Sequence, residues 1–83
     1  MLIKSEIKNI EDKMQFCVWL YLEYVNSSLD VRTFTNKIEI MKDGDIYNLS
    51  EKIITCIINN GKDLYNRGYK PLDNEKLKQY VER

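Results

Sequence analysis

From about Ser5 to Asn26 the apolar residues Ile7, Ile10, Met14, Cys17, Val18, Tyr21, Leu22 and Val25 recur at spacings of three and four. This is the stripe of an amphipathic helix with one face turned to a core. At about 100° per residue, Phe16 and Leu20 fall nearly opposite the stripe, and Trp19 lies on the flank between them and the polar side. The middle of this helix is therefore apolar all round.

Two readings compete between Val31 and Leu49. Val31, Phe34, Ile38 and Met41 make a narrow helical stripe that Gly44 would stop. Alternatively, Asp43-Gly44 lies between alternating residues, a strong short-range hairpin signal, because a type I′ turn requires positive φ at both centres. With these as the turn, Lys42 faces Asp45, Ile40 faces Tyr47 and Ile38 faces Leu49, giving one apolar face with opposite charges at the turn end. A further strand over Val31 to Thr35 would add β-branched Val31, Thr33 and Thr35, although the loop it needs, Asn36-Lys37, makes a poor turn of that type.

From Glu51 to Arg67 the residues Ile53, Ile54, Ile57, Ile58, Leu64 and Tyr65 keep helical phase, with Gly61 inside the stripe and Gly68 placed for a left-handed stop. Asn48 or Ser50 can cap this helix. A core-facing Gly61 costs about 1 kcal/mol of helix propensity relative to Ala, and close approach of another backbone would compensate it. Asp73 can cap a last short helix reaching Val81, with Leu72 and Leu77 spaced as a hydrophobic staple. The pattern predicts an α+β domain: a long N-terminal helix, a small antiparallel β-hairpin or three-stranded meander, a second long helix and a short C-terminal helix. An all-α arrangement is the alternative.

Length narrows this to one small domain over residues 1–83. The 13 Lys and Arg balance 13 Asp and Glu, so there is no long-range pull toward phosphate backbones or anionic lipid, and a neutral surface favours association. No apolar run approaches the roughly 20 residues of a membrane span or has the form of a signal peptide, so the expected setting is cytoplasmic, with no membrane partner. Cys17 and Cys56 are too few for an all-cysteine zinc site or a disulfide scaffold and read as reduced thiols. The chain has no Ala, while Ile, Lys, Asn and Tyr are abundant, a codon bias expected of an AT-rich bacterial or phage genome.

The search for chemistry yields little. With no His, the serines Ser5, Ser27, Ser28 and Ser50 lack the commonest activating base, and neither cysteine has an electropositive setting. Asp43 and Asp45 lack the Gly and Glu spacing of a calcium loop and read as hairpin-tip residues. No catalytic residue, metal site or cofactor is expected.

Two surfaces remain as binding candidates. Phe16, Trp19, Leu20 and Glu23 occupy i, i+3, i+4 and i+7 on the second apolar face of the first helix, and aromatics of this kind are enriched at interface hot spots. If that face is external, a homodimer explains it most simply; if internal, the helix is sandwiched between the sheet and the last helices. The other candidate is the basic, aromatic stretch of Lys62, Tyr65, Arg67, Tyr69, Lys70, Lys76 and Lys78, where rings could stack on bases and cations meet phosphates. The expectation is a non-enzymatic protein-interaction module, a small inhibitor or regulator of phage or mobile-element type, with nucleic-acid binding as the alternative.

Overall fold

The computed structural model describes all 83 residues, Met1 to Arg83. The elements in chain order are β1 (Leu2–Ile3), α1 (Ile10–Ser27), α2 (Val31–Asn36), β2 (Glu39–Lys42), β3 (Asp45–Asn48), α3 (Glu51–Asn66), α4 (Asn74–Tyr80) and β4 (Val81–Glu82). This is the α+β arrangement expected from the pattern, with its long first helix, central hairpin, second long helix and short last helix.

Side-chain caps set the helix starts. Asn9, Asp30, Ser50 and Asp73 each accept a hydrogen bond from the backbone N–H three residues on, satisfying a donor that the first turn leaves unpaired. Asn9 explains why α1 begins at Ile10 instead of near Ser5, and Ser50, not Asn48, caps α3. Helix α3 runs unbroken through Gly61, because a Cβ there would collide with the backbone carbonyl of Cys17 and with Tyr21 on α1. Gly61 thus lets the two long helices approach closely at Cys17 and Tyr21. Gly68, at φ 97°, takes the left-handed conformation just past the end of α3.

The hairpin follows the expected register. Asp43 and Gly44 both have positive φ, 52° and 84°, and the ladder pairs Lys42 with Asp45, Met41 with Ile46, Ile40 with Tyr47 and Glu39 with Asn48. The strand considered over Val31 to Thr35 is instead helix α2. Asp30 caps it by accepting from the Thr33 N–H at 2.7 Å; the helix buries Phe34 and Thr35, and the turn that closes it, with the Ile38 N–H donating to the Thr35 carbonyl, leads to buried Ile38. The remaining strands come from the chain ends. Strand β1 pairs parallel with β2 and antiparallel with β4, giving the sheet order β3-β2-β1-β4.

These terminal strands change the fate of α1. Phe16, Trp19 and Leu20 lie in one buried cluster with Ile3, Ile7, Phe34, Ile38, Ile54, Ile58, Leu72, Leu77 and Val81. Trp19 is only 7 % exposed, so the face expected to meet a partner lies inside the molecule. Helix α1 has α3 along its Cys17 and Tyr21 face, while the Leu72 turn, α4 and Arg83 close over Gln15, Asp12 and Trp19. The sandwiched alternative is the one the chain adopts. Conversely, two residues of the anticipated core stripe, Ile10 and Val25, are exposed near the ends of the helix.

Candidate interaction surface

Of the four residues expected to bind a partner, three are core, and the fourth is tied down. The Glu23 carboxylate accepts from Arg83 at 3.0 Å, and the same guanidinium stands 5.7 Å from the centre of the Trp19 ring, packing the chain end against α1. Phe16 and Trp19 pack against one another with ring centres 5.8 Å apart. This group stabilises the monomer and presents no free face.

A second polar cluster joins α1 to α4. Asp12, in the first turn of α1, is buried and accepts hydrogen bonds from the Tyr80 hydroxyl at 2.7 Å and the Lys76 ammonium at 3.1 Å. The Tyr80 bond, with Lys76 next, holds the Asp12 carboxyl below its usual range, while the Asp12 carboxylate raises the pKa values of Lys76 and Tyr80. The cluster thus acts as a clamp that ties the last helix to the first turn of α1.

The basic stretch is divided by acidic partners. Arg67 lies 3.6 Å from Asp63, Lys76 is bound to Asp12, and Lys78 lies 4.0 Å from Glu75. Tyr65 packs on Tyr21 at 6.0 Å between ring centres, and Arg67, Tyr69 and Lys70 border a shallow concavity together with Glu11 and Gln15. Lys62 is exposed on α3. The seven cations and aromatics proposed to meet phosphates and bases do not line one continuous positive surface.

For the thiols, burial is the main cause raising the Cys17 pKa, which disfavours the thiolate, while Cys56 is exposed on α3. No three His, Cys, Asp or Glu side chains converge as a metal site, and no helix is long and apolar enough to cross a membrane.

The surplus apolar surface lies elsewhere, on the β2–β3 arm. Because residues paired across strands share a face, Ile40 and Tyr47 point to the same side as buried Ile3, while Met41 and Ile46 point to the other. On that outer side an antiparallel sheet ordinarily shows polar residues. Here Met41 is 39 % exposed and Ile46 54 %, and on the core side Tyr47 is still 51 % exposed because the hairpin overhangs the core. Ile40, Tyr47 and Leu49 form the walls of a shallow groove under this overhang, with Lys42 and Asp43 at its tip. Strand β3 is also the outer edge of the sheet. It is four residues long with one charge, Asp45, and carries no Lys, Pro or bulge, three of the devices that protect an edge.

The arm was not among the surfaces expected to bind. Its signal was present in the register that pairs Ile40 with Tyr47, since the same register sets Met41 against Ile46 on the opposite face. No protein-family model, curated protein or solved structure matches this chain.

Proposed function

We propose that the protein is a non-enzymatic protein-interaction module that docks through the β2–β3 arm and acts by occupying a partner's surface, as a small inhibitor or regulator does. The observation that carries this reading is the arm itself: apolar on both faces, exposed on both, and ending in an unpaired strand edge. Exposed apolar residues clustered at a sheet edge suit strand addition, in which main-chain hydrogen bonds supply affinity and alternate side chains supply selectivity. The ion pairs that divide the basic stretch weigh against the nucleic-acid alternative.

The test compares the whole chain with a Met41→Lys/Ile46→Lys variant, both immobilised and exposed to the same protein mixture. These side chains point away from the core, so the variant keeps the fold, as circular dichroism would verify. Proteins held by the native chain and lost from the variant support the reading. An identical retained set overturns it, as does retention of nothing by either chain when the arm also leaves the chain's own mass unchanged.

A further inference from the structure

We infer that the arm's occupant is a second copy of this chain, joined edge to edge along β3 about a two-fold axis at Tyr47; this rests on the arm being the docking surface.

The hairpin register fixes the direction of the backbone groups on β3. A two-residue turn makes its flanking residues, Lys42 and Asp45, a bonded pair, and bonded pairs alternate along an antiparallel ladder. Ile40 with Tyr47 is therefore bonded, whereas Met41 with Ile46 and Glu39 with Asn48 are not. The phase is fixed independently on the far side of β2, where the Glu39 N–H donates to the Met1 carbonyl at 2.9 Å instead of to β3. The N–H and C=O groups of Ile46 and Asn48 thus point outward, and no turn, loop or side-chain hydrogen bond uses them.

A second, antiparallel β3 can satisfy all four outward groups at once. A two-fold axis relating antiparallel strands stands perpendicular to the sheet, so it preserves faces, and residues that meet across it must share a face. Only registers centred on a residue are then allowed: Ile46, Tyr47 or Asn48. Centring on Asn48 sets Ile46 against Ser50, which caps α3 and whose carbonyl already accepts from the Ile54 N–H. Centring on Ile46 uses that residue's two groups but sets Asn48 against Gly44, whose φ of 84° takes it out of the strand. Centring on Tyr47 pairs Ile46 with Asn48 of the second copy, twice, and saturates all four groups on each edge.

Side chains and charge agree with the Tyr47 register. On the core side, Ile40, Tyr47 and their two counterparts form an apolar row with an aromatic pair at its centre. Asp45, the only charge in β3, falls opposite Leu49 of the second copy, so no like charges meet. The chain's formal net charge of +0 adds no overall repulsion.

Light scattering and sedimentation equilibrium on the whole chain, from about 1 μM to about 1 mM, test the inference. The expected mass rises from 9.9 kDa toward twice that value. Ile46→Pro removes an outward N–H and spares the β2 ladder, as edge strands tolerate; Tyr47→Lys sets like charges across the axis. Each is expected to weaken association by at least roughly tenfold with the fold retained. Hydrogen exchange on the native chain needs no variant: with rising concentration the Ile46 and Asn48 amides become protected, whereas those of Asp45 and Tyr47, already donating to β2, do not change. A native chain monomeric throughout, a dimer that survives both substitutions, or protection without this alternation overturns the dimer. If the chain is monomeric but its arm variant loses captured proteins, only the second copy is excluded as occupant; if neither mass nor capture depends on the arm, the docking reading fails too.

Discussion

Helix α1 and the β2–β3 arm both carry apolar residues on two faces, and they end in opposite environments. Around α1, helix α3 packs on one side and the sheet, the Leu72 turn and α4 on the other, so that Val18 and Leu20 are fully buried and Trp19 nearly so. Around the arm nothing closes: Met41 and Ile46 face outward with no layer above them, and Tyr47 overhangs the core. An apolar surplus thus identifies an interface only after the rest of the chain has had its opportunity to cover it. A central helix is easily reached by both chain ends, whereas a hairpin that projects past the sheet is not.

The contrast can be broken most directly by truncation. Trp19→Ala should cost about 3–5 kcal/mol of stability, most of what a domain of this size has, measured by urea unfolding. Met41→Lys or Ile46→Lys should change stability by no more than about 0.5 kcal/mol. Comparable losses at the two sites would show that the arm is structural after all. Next in size is Gly61→Ala, where a helix interior ordinarily gains about 1 kcal/mol. The collision with Cys17 should reverse the sign and cost about 1–3 kcal/mol.

The Asp12 clamp sharpens how the chain end is held over α1. Because the folded pKa of Asp12 is lowered from its ordinary 3.8, its contribution is present above that value and is lost as pH falls through the lower folded value. Lys76 and Tyr80 are raised from 10.5 and 10.0, so their contributions are complete below those values and are lost as pH climbs through the folded ones. Melting temperature should therefore be flat between about pH 4 and 10 on account of this cluster and fall on both sides. Asp12→Asn should flatten the acid limb; an unchanged acid limb would show that the clamp contributes nothing. The smallest effect is expected at Thr35, whose buried hydroxyl has no hydrogen-bond partner. Thr35→Val should be neutral or stabilising by up to about 1 kcal/mol in the same unfolding assay.

Much of this architecture could be read residue by residue. Asp43-Gly44 specified both the turn and its register, Gly61 announced a close helix contact, and Asp73 with Leu72 and Leu77 located the last helix. Elsewhere local signals misled. The β-branched run from Val31 to Thr35 suggested a strand, but Asp30 could cap a helix, and that helix with the turn that closes it brought Phe34 and Ile38 to the core. The burial of Trp19 was not legible, because it shares its cluster with Ile3 and Val81 of strands too short to leave any periodic trace, and Arg83 closes over its ring.

What the order of residues determined by itself is local: which segments coil, where caps and left-handed turns end them, and how two strands register across a two-residue turn. These depend on interactions within a few positions along the chain. Which apolar faces are covered was decided only in three dimensions, when ends separated by nearly the whole chain met as β1 and β4 and sealed one side of α1. Burial depends on every surface that arrives, and a pairing two residues long is specified by the packing around it and not by its own composition. The same closure that hid Trp19 left the edge of β3 open.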